Sequence, residues 1–390
     1  VDLFFKRLNE FYKMYINNIF YMDKIIEIEK EISKKRSVVN LSNWNPSKHY
    51  ENGLFKYITP LEIKYTNSYI YSYDIPIQIR EKCIKKLTGK NANNKMCLFL
   101  GNSTLSIINV INFLKYNGCK KLLIINPSYF SVVEACKIFG LSYEIRNFSR
   151  VDDEYIIDPK IIFKEDYNAI WVTSPIYSTS VKLSDNIIRL INSITKNKIF
   201  VVLDESTSVN GNEAIRKADF NQYLLGIYSP HKSIFCNSNK FSSIICSKKY
   251  DDFFEQWVDV LNGSLSSSNQ QAINHFISDN FDKCNNYAIG YFNMVKRSII
   301  GLLEMYPSCY WDNSIVGPYM SVYIRNVDVN KIYSIDFIKK LINDTGVSFY
   351  PGFLNGISIP NTLSFRINLS LSVNQAVYSL KQLLDFIFEN

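Results

Sequence analysis

The sequence predicts an α/β protein in which a large three-layer domain on a mostly parallel sheet is joined to a smaller α+β domain. Between about residues 80 and 250, short apolar runs alternate with amphipathic stretches of helical period. Those runs are continuously apolar rather than alternating, the pattern of strands covered on both faces. At 390 residues the chain exceeds what one small core needs, and roughly one to two hundred residues per domain suggests two units.

The first fifty residues begin with helical periodicity and pass into the irregular NLSNWNPSKHY (40–50), which could pack on either unit. Then follow helix-like PIQIREKCIKKL, strand KMCLFL, helix TLSIINVINFLKYN, strand KKLLIIN, helix YFSVVEACKIFG and strand SYEIRNF. AIWVTS, KIFVVLDE, LLGIYS and FSSIICS continue the strands, with LSDNIIRLINSIT as an intervening helix. Such βαβ succession implies parallel pairing with helices on both faces. Residues 257–303 read as largely helical and could bridge to the second unit. The elements after them (YMSVYIRN, SIDFIKKLINDTG, VSFYPG, LSFRINLSLS, NQAVYSLKQLLDFIF) alternate as a small α+β lobe. The expected division is 56–280 for the large domain, with 1–55 and 281–390 forming the small one.

Composition narrows the function classes. Forty-seven per cent of the residues are hydrophobic and 15% aromatic, ample for burying large faces. Net charge is +8, but the lysines are scattered, and short basic runs such as EKEISKKR (29–36) are interrupted by acids. A nucleic-acid or membrane-surface footprint would need clustering, so neither partner is expected. The eight cysteines include no CxxC pair and the three histidines make no ligand pair, which speaks for buried thiols in a reducing compartment and against a metal site. No leader or bilayer-spanning apolar stretch is visible, so the cytoplasm is the expected location.

Open α/β sheets bind ligands beyond the C-terminal ends of their strands. After CLFL, GNSTLS (101–106) opens a helix and could offer backbone N–H groups to a phosphate, or simply cap the helix. After KLLIIN comes PSYF, with Tyr129 able to stack on a flat ligand or to wedge between elements. Asp204 closes FVVL, and YSPHK (228–232) delivers Ser229 and Lys232 after the next strand. A lysine desolvated there could become nucleophilic toward a carbonyl. Lys240 lies eight residues on.

The ordered set Gly-Asn-Ser-Thr, Pro-Ser-Tyr, Ser-Pro, strand-Asp-Glu, Ser-x-x-Lys, Lys at plus eight, Pro-Gly and strand-Arg resembles the fold type I pyridoxal phosphate enzymes. More narrowly, it resembles the class I/II aminotransferases, over roughly residues 40 to 385. The resemblance implies that Lys232 forms a Schiff base with pyridoxal 5'-phosphate and that Asp204 pairs with the pyridine nitrogen. It implies that Asn102, Ser103 and Thr104 cradle the phosphate, with Ser229 and Lys240 adding contacts, and that Tyr129 stacks on the ring. Arg366 takes the place of the arginine that binds the substrate α-carboxylate. Three positions depart from the family pattern. Lys240 stands where an arginine is usual, Thr207 where many members place a tyrosine, and Tyr177, in SPIYSTS (174–180), where an asparagine contacts the cofactor. The family's active sites are usually shared across a homodimer, and Tyr71, or alternatively Tyr73, is the candidate phosphate contact from the partner. Trp44 and Asn45 are candidates for the side-chain pocket, and His231, adjacent to Lys232, is read as a packing neighbour rather than as a catalytic base. The implied reaction is amino-group transfer between an L-amino acid and a 2-oxo acid. Elimination, cyclisation or oxidation on the same scaffold is the alternative, and a non-catalytic protein of this fold the second.

Overall fold

The computed structural model describes residues 20–58, 75–151, 154–164, 166–209, 213–263 and 265–389. The described chain divides into two compact units. The larger comprises Pro46–Asn293 and Asp312–Tyr319; the second gathers the segment ending at Asn45, Met294–Trp311 and the chain from Met320 onward.

The larger unit is built on seven strands: β1 (Lys95–Leu100), β2 (Lys121–Asn126), β3 (Ser142–Asn147), β4 (Ala169–Thr173), β5 (Phe200–Glu205), β6 (Leu224–Tyr228) and β7 (Ser242–Ser247). Their order across the sheet is β1-β7-β6-β5-β4-β2-β3. β2 pairs in parallel with β3 and β4, β4 with β5, and β5 with β6, while β7 runs antiparallel to both β6 and β1. Helices α1 (Ile77–Thr88), α2 (Ser103–Tyr116), α3 (Ser131–Ile138) and α4 (Asp185–Lys196) belong to the same unit. Side chains alternate between faces along each strand. Thus Val201 and Leu203 of β5 join one core cluster with Ile187 and Ile191 of α4, and Phe200 and Val202 join the other with Val110 and Phe113 of α2. Both faces of the sheet are therefore apolar, as the unbroken hydrophobic runs required.

The larger unit extends beyond 56–280 at both ends, and aromatic packing accounts for it. Tyr50, on the helix Lys48–Ile58, is fully buried with ring centroids 5.5, 5.0 and 5.5 Å from those of Tyr287, Tyr291 and Phe292. Its hydroxyl donates to the Ile234 carbonyl at 2.8 Å. Burying an aromatic side chain of this size is worth a few kcal/mol, enough to hold 46–55 and 281–293 with this unit.

The second unit carries a three-stranded sheet in the order β8 (Cys309–Trp311), β9 (Tyr319–Arg325) and β10 (Thr362–Asn368). A two-residue parallel pairing joins Val39–Asn40 to Val347–Ser348. Helices α6 (Ile335–Thr345) and α7 (Val373–Glu389) supply its apolar faces through Phe337, Ile338, Leu341 and Ile342 and through Leu380, Leu383 and Leu384. In the larger unit, a short turn of helix, α5, spans Pro230–Ser233. All eight cysteines are buried as free thiols. No described helix is long and apolar enough to cross a membrane, and no group of His, Cys, Asp and Glu among the described residues could hold a metal ion.

Candidate active site

The strand register brings the predicted positions to one edge of the larger unit's sheet. Thr173 at the end of β4 pairs with Asp204 of β5, Glu205 pairs with Tyr228 at the end of β6, and Tyr228 pairs with Ser243 near the start of β7. Ser242 in turn stands opposite Leu100, the last residue of β1. The segments bearing Asn102 to Thr104, Tyr129, Tyr177, Ser229 and Lys232 all leave this edge, and Lys240 enters it.

Lys232 sits on α5, whose backbone turn is closed by Lys232 N donating to the Ser229 carbonyl at 3.1 Å. Its Nζ stands 4.2 Å from the centre of the Tyr129 ring. The Tyr177 ring lies 6.0 Å from that of Tyr129, so Tyr177 is brought to the cluster in place of the asparagine the resemblance would expect. Asp204 is 2% exposed and shares its face of the sheet with Trp171 and Thr173. Burial raises the Asp204 pKa above the ordinary carboxylate value, partly offset by hydrogen bonds from Ser206 and by the positive charge of Lys232. Ser206 donates to the carboxylate from both its backbone N–H at 3.1 Å and its hydroxyl at 2.6 Å. Neighbouring Glu205 points to the opposite face and has a structural task, accepting from the backbone N–H groups of Ala214 and Ile215 at 3.1 and 3.2 Å.

The residues that the resemblance assigns to the phosphate are arranged unequally. Asn102 is the N-cap of α2, its carboxamide oxygen accepting from Leu105 N at 3.1 Å. Ser242 Oγ donates to the Asn102 carbonyl at 2.6 Å and lies 2.6 Å from Ser106 Oγ, which pins this turn to β7. Ser103 is buried at the first turn and Thr104 half-buried beside it. Ser229 Oγ lies 2.8 Å from His231 Nδ1 and donates to the Phe241 carbonyl at 3.1 Å. His231 is buried, and burial lowers its pKa to about 4, with the charges of Lys232 and Lys240 acting in the same direction. It is therefore a neutral ring near pH 7, in the packing role weighed against that of a base. Lys240 is exposed. Tyr71 and the alternate Tyr73 lie outside the described residues.

Arg366 belongs to the second unit and has a site of its own there. It is 2% exposed on β10. Its Nε donates to the Ser42 carbonyl at 3.0 Å, and Nη1 to Asn355 Oδ1 at 3.3 Å. The guanidinium carbon stands 4.3 Å from the Trp44 ring centre. Ser42 Oγ donates to the Arg366 carbonyl at 2.7 Å, so the two segments are tied in both directions. Asn45, the other pocket candidate, accepts from Asn368 Nδ2 at 2.9 Å through its carbonyl.

Two residues near these groups carried no usable signal in the sequence. Thr173 is 2% exposed beside Asp204, and its Oγ1 has no hydrogen-bond partner among the described residues. Asn355 ends the short turn Gly352–Asn355 after Pro351, where an asparagine is unremarkable. Strand register places the first and a tertiary contact the second.

The donor set suits pyridoxal phosphate. A helix N-terminus for an anion, an amine over an aromatic ring and a buried carboxylate stand at one sheet edge, with a hydroxyl beside the carboxylate that has no hydrogen-bond partner among the described residues.

No protein-family model matches the sequence, and no curated protein resembles it at the sequence level. Solved structures do resemble it in three dimensions. The multiple substrate aminotransferase of Thermococcus profundus superposes with a TM-score of 0.73 at 13% identity, over 93% of this chain and 94% of that one. The aspartate aminotransferase of Thermotoga maritima gives 0.72 at 14% identity, over 94% and 96%. A C-S lyase of Staphylococcus hominis, solved with pyridoxal phosphate bound, gives 0.68 at 16% identity, over 91% and 93%. The chain therefore has the fold type I architecture that the sequence resemblance implied, shared with these aminotransferases and this lyase.

Proposed function

We propose that the protein is a pyridoxal phosphate-dependent aminotransferase that moves an amino group between an L-amino acid and a 2-oxo acid. The observation that carries this reading is the placement of Lys232 Nζ over Tyr129, at the sheet edge where Asp204 is buried. When bound, the cofactor supplies an electron sink for negative charge developing at the substrate Cα. Lys232 would hold the cofactor and, once released from it by the substrate, use Nζ to move the Cα proton. Asp204 would receive the protonated ring nitrogen. A cation there restores the ionised carboxylate that burial disfavours, in a setting of low dielectric where the pairing is strong. Tyr129 would cover one face of the ring, Tyr177 would reach its edge, and the α2 N-terminus with Ser103 and Thr104 would take the phosphate. Asn102, whose side chain caps the helix, would contribute its carbonyl-anchored turn, while Ser229 would add a hydroxyl contact and Lys240 a positive charge. Arg366 would bind the substrate carboxylate through its planar fork. A homodimer in the cytoplasm, with Tyr71 reaching the partner's phosphate, completes the reading.

The test is the visible absorption of the purified holoprotein on addition of pooled L-amino acids. Loss of the cofactor band matched by an equal amount of new 2-oxo acid is expected, and its return on adding a second oxo acid completes the cycle. Tyr177 in place of an asparagine, together with the lyase neighbour, favours elimination as the second reading. Ammonia released beyond one equivalent per cofactor would replace transfer with that chemistry.

A further inference from the structure

Asn355 closes the turn Gly352–Asn355, and this turn is pressed tightly onto β10. A Cβ at Gly352 would lie 2.1 Å from Ser364 Oγ, so only glycine lets the turn approach the strand two residues before Arg366. Ile357 N donates back to the Gly352 carbonyl at 2.9 Å, and Gly356 closes the turn with φ of 80°. The Asn355 carboxamide is thus held by its backbone, and Oδ1 accepts from Arg366 Nη1. Because a guanidinium only donates, this contact fixes which end of the amide faces the arginine. The other end, Nδ2, is buried with no hydrogen-bond partner among the described residues. A buried amide donor left unsatisfied is costly, and this one shares a planar carbon with an oxygen already bound to Arg366. It therefore stands beside the same guanidinium.

We propose that Asn355 Nδ2 is a second ligand for the carboxylate taken by Arg366. The second unit would then present a compound anion site: an arginine fork backed by the Trp44 ring and extended by one neutral amide donor. The inference rests on the reading in which Arg366 binds the substrate carboxylate, and it adds selectivity to that reading. A charged fork alone accepts many anions, whereas a fork plus a fixed amide donor favours a planar carboxylate whose two oxygens can be shared between them.

The probe is acetate, small enough to enter any carboxylate subsite, titrated into the holoprotein. The readout is the indole emission that Trp44→Phe removes, since Trp44 lies against the guanidinium. Asn355→Ala should weaken acetate about tenfold or more, the usual range for a hydrogen bond to a charged group. Asn355→Asp, nearly isosteric, keeps the acceptor for Nη1 and loses the donor. It should weaken acetate at least as much at pH 8, and it serves if the alanine variant does not fold. A crystal of the holoprotein soaked in acetate should show one carboxylate oxygen within hydrogen-bond reach of Nδ2. Loss of affinity in Arg366→Lys together with acetate binding within twofold of wild type in both Asn355 variants would overturn the inference while leaving the role of Arg366 intact. If wild type shows no saturable acetate signal, or if Arg366→Lys binds like wild type, the assignment of Arg366 itself falls and takes the inference with it.

Discussion

Two cations in this chain stand over aromatic rings at nearly the same distance, Lys232 Nζ at 4.2 Å from Tyr129 and the Arg366 guanidinium at 4.3 Å from Trp44. Their settings differ. Lys232 is half-buried within a four-residue turn of helix in the larger unit, on a long unbranched stem. Arg366 is 2% exposed in the interior of a strand of the second unit, held by the Ser42 carbonyl and the Asn355 amide. A group that must exchange partners and move a proton needs freedom at its tip, whereas a group that must orient a carboxylate needs its plane fixed before the ligand arrives. On the proposed reading, the same cation over a ring would serve opposite purposes.

Lys232 is where a substitution should cost most. Lys232→Ala should lower turnover by at least about 10²–10⁴-fold, the usual worth of a positioned acid-base group, and abolish the lysine-dependent cofactor band. Near wild-type steady-state rates in this variant would remove Lys232 from the chemistry.

At the fixed cation, Arg366→Lys keeps the charge and loses the fork. A lost charge-assisted hydrogen bond corresponds to roughly a 10- to 100-fold rise in KM, with kcat less affected. An equal fall in kcat and kcat/KM, with KM unchanged, would mean that Arg366 acts in the transition state rather than in binding. Trp44→Leu removes only the ring behind the guanidinium and should raise KM about 2- to 30-fold, following the range for such contacts.

Asp204 separates folding from function. Because burial raises its pKa, the folded cofactor-free protein binds this proton more tightly than the unfolded chain does. Stability therefore falls as pH rises from the ordinary carboxylate pKa through the raised one. Asp204→Asn should raise the melting temperature of the cofactor-free protein at pH 7 by a few degrees, with little effect at pH 3.5, while weakening cofactor binding. A lower melting temperature at pH 7 would show that Asp204 stabilises the fold by itself.

The smallest expected effect concerns His231. With its pKa lowered to about 4, it stays neutral through the usual assay range. His231→Gln should leave the acidic limb of the kcat/KM profile between pH 6 and 8 unmoved; a shifted limb there would restore the ring as a titrating base.

Much of the fold was legible in the residues. KMCLFL, KLLIIN, AIWVT and FVVLDE are continuously apolar because each is covered on both faces, and the structure makes all four strands of one sheet. Once those strands are parallel, their C-terminal ends share an edge, and the order of GNST, PSY, DE and SPHK along the chain becomes a cluster in space. Other features had no local signature. The unit boundary near residue 45 depends on Tyr50 finding Tyr287, Tyr291 and Phe292 more than two hundred residues away.

The sequence by itself determined the covered parallel sheet and the edge where a ligand would sit, because hydrophobic period and strand ends are local properties, while Lys232, Asp204 and Arg366 were candidates through the family resemblance. Tertiary structure alone decided that Asn102 spends its side chain on capping α2, that burial keeps His231 neutral, and that Asn355 stands beside Arg366 with a buried, unpartnered donor. Each of those depends on what packs against a polar atom, and desolvation and hydrogen-bond geometry come from neighbours that the linear order does not name.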